Sequence, residues 1–218
     1  MPTCLTIDVY VDLICPWCWI GKRHLTSAVR QLAAVEPGVD AQVQWHGVQL
    51  LPDLPVQGLP FADFYLKRLG SPQAVQMRQA QVQAAAHEAG LHFDFSNIPL
   101  MPNTAKAHSL LAFAKARCSI EQQTTMVEEL FRAHFVSRRD LGRADTLQDV
   151  AVSCGLDGQA ALACMDGAAP QRQSNVPNGV PYFVFNGRAS LSGAQPPRVL
   201  LNAMRQVIGQ ESLVGGPA

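Results

Sequence analysis

The sequence has few charged residues, and their signs balance. Asp, Glu, Lys and Arg make up 16% of the 218 residues, with 17 acidic and 17 basic side chains. A neutral balance gives no general attraction to nucleic acid or to an anionic membrane surface. The apolar share is 48%, which is enough for a packed core and excludes a disordered chain. We therefore expect one large domain, or one domain carrying an insertion, that binds no nucleic acid.

Long apolar runs are missing, and no secretory leader is expected. Residues 1–12 contain Asp8 and Asp12 but no basic start and no extended apolar run, so they do not resemble a signal peptide. No stretch of about 18 uninterrupted apolar residues occurs, so no transmembrane helix is expected. The sequence predicts a cytoplasmic protein without a membrane partner.

Cysteine is too sparse for a disulfide scaffold in a chain of this length. Four of the six cysteines are expected to be structural thiols: Cys4, Cys118, Cys154 and Cys164. Cys15 and Cys18 form the one close pair, and such a pair in a cytosolic protein indicates redox or metal chemistry. A zinc site normally needs four ligands, and neither a second CxxC nor an HxxxH motif is present. We therefore predict redox chemistry and no bound metal.

Hydrophobic periodicity predicts an α/β fold. A strand with an apolar side at Leu5, Ile7, Val9 and Val11 precedes a helix from Pro16 to about Val35 and a second strand at 41–45. Residues 61–164 are helical with almost no strand signal, and a capping box is expected at Asp145 and Gln148. Strand spacing returns at 181–185, followed by the turn Asn186-Gly187, a strand at 188–192 and a helix at 196–208.

The order β-α-β, helical insertion, β-β-α is that of the thioredoxin fold with an all-helical subdomain inserted in its middle. We expect residues 1–55 and 178–210 to form a discontinuous thioredoxin-like domain. Residues 56–177 are expected to form the inserted helical subdomain.

Cys15 lies where the first strand ends and the first helix begins. Free backbone N–H groups and the positive helix end should stabilise a thiolate there. Cys18 follows one turn later on the same side, deeper in the helix and close enough to form a disulfide. We predict Cys15 as the nucleophile and Cys18 as the resolving cysteine. Pro16 suits the first helical position, and Trp17 adds an apolar surface without a positive charge.

Val180-Pro181 is the second chemical signal. A cis Pro181 facing the cysteines would let the backbone of Gly179 and Val180 pair with an extended substrate. A proline that simply starts an edge strand is the alternative, and the residues alone leave both open.

Three polar residues have two interpretations each. His24 either approaches the thiolate or is exposed, and His108 either lines a cleft between the domains or is a hydrogen-bonded packing residue. Asp12 either relays a proton near Cys18 or caps the turn after the first strand. Trp19 and Trp45 are expected to be packing residues.

Five segments, in order along nearly the whole chain, resemble the DsbA-like superfamily and most closely its FrnE branch. They are residues 12–22, Trp45 with 50–55, Pro102-Asn103-Thr104 with Ala107-His108, 179–184 and 192–197. The resemblance implies a thioredoxin fold with a helical insertion, Cys15 as nucleophile, Cys18 as its partner and Pro181 in cis. It also implies a protein without a bound cofactor, in a family where homodimers are frequent.

The chain departs from the family pattern at two places. Residues 166–178 are several residues short and contain Pro170 and Pro177, where a helix is usual. His46-Gly47 stands where a bulkier, often basic pair is usual, which could change the groove near Cys15.

The expected function is a dithiol/disulfide oxidoreductase acting on proteins or small disulfides and recycled by an external thiol such as glutathione. The expected site residues are Cys15, Cys18 and Pro181 for catalysis and Pro16, Trp17, Gly179 and Val180 for substrate binding. One alternative is a glutathione-dependent isomerase or transferase of the 2-hydroxychromene-2-carboxylate isomerase or kappa-class type. Those enzymes usually carry serine where Cys15 stands. A non-catalytic binding or chaperone module is the other alternative.

Overall fold

Alternating apolar residues place the first strand at the centre of a four-stranded sheet. The computed structural model of the protein describes residues 3–92, 94–166 and 179–214. Strand β1 (Thr3–Val11) pairs in parallel with β2 (Val39–Gly47) and antiparallel with β5 (Tyr182–Phe185), which pairs with β6 (Ala189–Ser192). The sheet order is β2-β1-β5-β6. This is the predicted β-α-β and β-β-α arrangement of the thioredoxin fold.

The two helices of this unit cover one face of the sheet. Helix α1 (Pro16–Val35) connects β1 to β2, and α8 (Pro197–Val214) follows β6 and packs against α1. The apolar side of β1 is fully buried beneath them, as are Phe183 and Phe185 of β5. Burial of this face fixes the register of the strands, because a slip of one residue would expose the whole apolar set.

Six α-helices and one short 3-10 helix (Phe95–Asn97) lie between β2 and β5 in the described part of the chain. The α-helices are α2 (Phe61–Leu69), α3 (Pro72–Glu88), α4 (Ala105–Arg117), α5 (Ile120–Phe135), α6 (Ala144–Ser153) and α7 (Gly158–Met165). A short antiparallel pair, β3 (Leu59–Pro60) and β4 (Leu100–Met101), also lies there and was not predicted. Two-residue strands are too short to show a period in the sequence. The boundaries 1–55, 56–177 and 178–210 stay predictions, and residues 167–178, with Pro170 and Pro177, lie outside the described residues.

The predicted capping box at Asp145 and Gln148 is wrong. The N-cap of helix α6 is Arg143, two residues before Asp145, and the Arg143 guanidinium pairs with the Asp145 carboxylate. The structure has a capping box at the start of α5 instead, where Ser119 and Gln122 each bond to the other's backbone N–H. Asp145 therefore supports the first turn of α6 from inside the helix.

Helix α5 packs against α1 and so joins the helical segment, α2 to α7, to the thioredoxin-like unit. Trp19 stacks on Phe131 and Phe135, with ring centroids 5.9 Å apart in both pairs. The Glu128 carboxylate accepts from the Trp19 indole at 3.1 Å and from the Lys22 ammonium at 2.8 Å. Trp19 is thus a packing residue, as predicted, and the contact fixes the start of α1. None of the described helices is long and apolar enough to span a membrane.

Candidate active site

Cys15 is the N-cap residue of α1, with φ −91° and ψ 110°, and Pro16 occupies the first helical position as predicted. The Cys18 backbone N–H donates to the Cys15 carbonyl oxygen at 3.0 Å. Cys15 is 8% exposed and Cys18 is fully buried, which confirms the predicted order of exposure. Both are free thiols in this structure.

Burial raises the pKa of the Cys18 thiol well above its usual range. A hydrogen bond to the Cys15 side chain and the charges of Cys15 and Asp12 raise it further. Cys18 therefore stays protonated in the reduced protein, and it can act as a nucleophile only when another group takes its proton.

The proline loop faces the first cysteine. The Val180–Pro181 peptide bond is cis, so that prediction is confirmed. The Cys15 thiol points at the Val180 carbonyl, with 3.9 Å between Sγ and the oxygen. A Cβ added at Gly21 of α1 would lie 3.0 Å from Pro181 Cγ, so the helix and the loop touch. The fold thus brings together residues that are 165 positions apart in the sequence.

Asp12 lies beneath the cysteines and is fully buried. Its carboxylate accepts from the Leu50 backbone N–H at 2.7 Å and lies 3.2 Å from His108 Nε2. It therefore caps the loop after β2 rather than the turn after β1. His108 is buried as well, and its Nδ1 has no hydrogen-bond partner among the described residues. His108 is thus a packing residue beneath the site.

The remaining histidines of the sequence analysis lie apart from the thiolate position. His24 is half-buried, and its Nδ1 lies 3.0 Å from the Gln195 carbonyl oxygen. His46 stacks on Tyr10 at 4.7 Å and lies 2.7 Å from the Asp8 carboxylate. The glycine at position 47, where the family pattern has a bulkier residue, fits the packing here, because an added Cβ would lie 2.3 Å from His108 Nδ1. Neither His46 nor Gly47 lines the cavity beside Cys15.

A cavity of about 260 Å³ opens next to Cys15. The start of α1 forms one wall, and the opposite wall comes from the loop after β2 and from α2, α3 and β4. The lining residues are Ile14, Cys15, Pro16, Trp17, Leu50, Leu51, Phe64, Tyr65, Arg68, Arg78, Val82 and Met101. Three of the predicted site residues line this cavity, whereas Gly179 and Val180 belong to the loop on the other side of Cys15.

The sequence analysis missed the residues that the helical segment contributes. The sequence singles out none of Tyr65, Arg68 and Arg78, which all line the cavity. Burial raises the Tyr65 pKa to about 12, and the charge of Cys15 adds to the shift. The signal that could have found them is their place in the chain order. Helix α2 begins soon after the loop that follows β2, and this loop forms part of the cavity wall.

Asn103 holds the loop wall of the cavity in place. Its side-chain oxygen accepts from the Gln49 amide at 2.9 Å and from the Ala105 N–H at 3.0 Å, and its Nδ2 donates to the Leu54 carbonyl at 2.6 Å. The Pro102-Asn103-Thr104 signature thus joins the loop after β2 to the start of α4. Within the described ranges, no three His, Cys, Asp or Glu side chains cluster as metal ligands would.

A family model described as a DSBA-like thioredoxin domain matches residues 6–205. The uncharacterised protein YwbO of Bacillus subtilis is 29% identical over 160 residues, which are 73% of this chain and 71% of YwbO. A probable DsbA oxidoreductase from Streptomyces coelicolor has a TM-score of 0.81 at 25% identity, covering 94% of this chain and 90% of its own.

Two further solved structures show a similarity of fold alone. A 2-hydroxychromene-2-carboxylate isomerase has a TM-score of 0.67 at 16% identity, covering 97% of this chain and all of its own. The cytosolic disulfide reductase DsbM from Pseudomonas aeruginosa has a TM-score of 0.57 at 18% identity, covering 96% of this chain and all of its own.

Proposed function

Because this chain belongs to the DSBA-like thioredoxin domain family, we propose that it is a thiol–disulfide oxidoreductase working through Cys15 and Cys18. The observation that carries the proposal is the position of the Cys15 sulfur. It lies at the start of α1 and 3.9 Å from the carbonyl oxygen that precedes the cis Pro181. A nucleophile and a substrate-binding backbone edge are thereby adjacent.

In the first step the Cys15 thiolate attacks one sulfur of a substrate disulfide. A mixed disulfide between Cys15 and the substrate forms, and the other substrate sulfur leaves as a thiolate. The N-terminus of α1 favours the negative charge on Cys15 before the attack. The Val180 backbone next to it can pair with an extended substrate segment, as an added strand pairs with a sheet edge.

In the second step the Cys18 sulfur attacks Cys15. The Cys15–Cys18 disulfide forms, and the second substrate sulfur leaves as a thiol or thiolate. The substrate has gained two electrons and the protein has lost two. Cys18 must release a proton, and we propose the buried Asp12 carboxylate as its acceptor because it is the acid close enough to raise the Cys18 pKa.

An external thiol such as glutathione would return the oxidised protein to its dithiol form, and the same steps in reverse would oxidise a substrate dithiol. The cytoplasmic location and the homodimer expected from the sequence stay predictions. The sequence also predicts that Cys18→Ala removes disulfide turnover, whereas a glutathione-dependent isomerase or transferase would keep its main activity in that variant.

Insulin reduction tests the proposal directly. The wild-type protein should accelerate precipitation of insulin chains in the presence of a dithiol, and Cys15→Ser should reduce the rate to the uncatalysed background. Cys18→Ser should accumulate a covalent adduct with the substrate that a reducing agent releases. Cys4→Ser is the matched control because Cys4 is an exposed thiol. A Cys15→Ser protein that keeps the wild-type rate would overturn the proposal.

A further inference from the structure

Two arginines of the helical segment face the cavity beside Cys15. Arg68 lies on α2 and Arg78 on α3, and both are exposed. The Arg68 guanidinium lies 6.0 Å from the centre of the Phe64 ring, and Arg78 Nη1 donates to the neutral Gln81 amide oxygen at 3.0 Å. Neither arginine forms an ion pair within the part of the chain that the structure describes. The cavity therefore carries two positive charges that no acidic side chain of the described residues neutralises.

The rest of the lining is apolar or aromatic. None of the described residues that form it is acidic, and the whole protein has a net charge of zero. The positive charge at this cavity is thus local rather than part of a generally basic surface. Tyr65 also lines the cavity: burial raises the pKa of its hydroxyl most, the charge of Cys15 raises that pKa further, and the charges of Arg68 and Arg78 lower it.

This arrangement suits an anionic reactant. A substrate with a carboxylate near its sulfur is repelled by the Cys15 thiolate, and two guanidinium groups within one small cavity offset that repulsion. Arginine presents paired N–H donors that match a carboxylate. The volume of about 260 Å³ is at the small end of ligand cavities, which suits a low-molecular-weight compound.

We propose that Arg68 and Arg78 bind the carboxylates of small anionic disulfides and so set the substrate preference of Cys15. This inference rests on the proposed function, and the chemical steps are the same. The Cys15 thiolate attacks one sulfur of the carboxylate-bearing disulfide, whose S–S bond breaks so that the other half leaves as a thiolate. Cys18 then attacks Cys15, and the bound half leaves as a thiol or thiolate. The arginines bind and orient the reactant, and they exchange neither protons nor electrons with it.

The test uses three small disulfides that differ in charge: 3,3′-dithiodipropionate is anionic, 2-hydroxyethyl disulfide is neutral and cystamine is cationic. The reduced full-length protein is mixed with each, and the rate of Cys15–Cys18 oxidation is measured by quenching with an alkylating agent and mass spectrometry. Each rate constant is divided by that of the same disulfide with 2-mercaptoethanol, which removes differences in intrinsic reactivity.

The wild-type protein should prefer the anionic disulfide over the neutral one by about tenfold after this correction, as expected for charged hydrogen bonds. Arg68→Gln and Arg78→Gln should each remove most of that preference, and added salt should weaken it in the wild type. Lys67→Gln is the matched control, because Lys67 lies on the same helix but does not line the cavity.

The outcomes separate the two proposals. If all three disulfides oxidise Cys15 and Cys18 without regard to charge, or if Lys67→Gln has the same effect as the two arginine variants, the assignment of the arginines is wrong and the oxidoreductase remains. If none of the three reacts in a Cys15-dependent manner, the oxidoreductase proposal fails and this inference fails with it.

Discussion

Asp12 and Cys18 are both fully buried, and the charge of Asp12 helps to raise the pKa of the Cys18 thiol. Burial and the negative charge nearby keep the proton on Cys18, so the resolving step proposed for this residue would need a group that can accept that proton. Asp12 is fully buried and is held by the Leu50 backbone N–H. The rate of the second chemical step should therefore depend on the Asp12 carboxylate.

Asp12→Asn should lengthen the lifetime of the mixed disulfide by about 100-fold, because an amide cannot take the Cys18 proton in the way a general base does. The amide oxygen can still accept from Leu50, so the loop keeps its anchor. Rapid quenching and mass spectrometry measure the lifetime of the Cys15 adduct. The exposed Asp63 provides the control, as Asp63→Asn, and equal lifetimes in Asp12→Asn and wild type would rule out the relay.

Gly47 is required by the side chain that packs on it. A Cβ at this position would lie 2.3 Å from His108 Nδ1, and His108 is buried against Asp12. Gly47→Ala should therefore lower the free energy of unfolding by about 1–3 kcal/mol, as overpacking does. Urea denaturation measures the change. Gly38→Ala is the control because nothing lies within 4 Å of its added Cβ, and equal effects of the two substitutions would contradict this account.

At the scale of elements, the site depends on the close approach of α1 to the proline loop. An added Cβ at Gly21 would meet Pro181 Cγ at 3.0 Å and Phe183 Cζ at 3.2 Å. Pro181 belongs to the loop that faces Cys15, and Phe183 lies in β5 directly after that loop. The helix and the loop can pack this closely only while position 21 lacks a side chain.

Gly21→Ala should lower insulin-reduction turnover severalfold and destabilise the protein by about 1 kcal/mol or more, since the contact with Pro181 outweighs the better helix propensity of alanine. Gly209→Ala in α8 is a matched control, because it lies in a helix and nothing lies within 4 Å of its added Cβ. That substitution should leave turnover unchanged and stabilise the protein by up to about 1 kcal/mol. A stabilising Gly21→Ala with normal turnover would show that the helix and the loop tolerate separation.

The sequence predicts those elements that carry a local signal. The alternation in β1, the proline at the start of α1 and the Asn186-Gly187 turn each depend on neighbours within a few residues. The two-residue strands β3 and β4 have no such signal and were missed. The capping box was predicted at Asp145, and the same spacing to a glutamine at Ser119 was missed. The structure shows the Asp145 carboxylate paired with Arg143 and the capping box at Ser119.

At the scale of the whole molecule, the residues of the site that were predicted carry a local sequence signal, and those that were missed depend on non-local contacts. Cys15, Cys18 and Pro181 follow from a short motif and from the resemblance to the DsbA-like family. Arg68 and Arg78 reach the cavity only because α3 packs against α1 and α2 packs against α3, which is a non-local arrangement. The role of Asn103 likewise depends on contacts about 50 positions away.

Stability of the whole fold should fall as the solution becomes acidic, and His134 provides the clearest cause. It is buried in α5, its Nε2 has no hydrogen-bond partner among the described residues, and burial lowers its pKa to about 4. The unfolded chain, with a histidine pKa of about 6.5, binds more protons than the folded protein between these values. The free energy of unfolding is therefore highest above about pH 6.5, where His134 is neutral in both states, and it falls progressively as the pH drops toward 4.

His134 alone should cost about 2 kcal/mol of unfolding free energy between pH 7.5 and pH 5.0. Urea denaturation at the two pH values measures the loss, and His134→Leu should reduce it by most of that amount. His92→Gln serves as the control because His92 is exposed. An unchanged pH dependence in His134→Leu would assign the acid sensitivity to other groups.

The wall of the cavity opposite the cysteines comes from a stretch of chain that supplies none of the reacting sulfurs. Residues 61–88, comprising α2 and α3, could be exchanged in a chimaera for the corresponding helices of a relative while Cys15, Cys18 and the proline loop stay untouched. Under the proposed function, such a graft should change which disulfides react and leave the thiol–disulfide exchange at Cys15 and Cys18 unaltered.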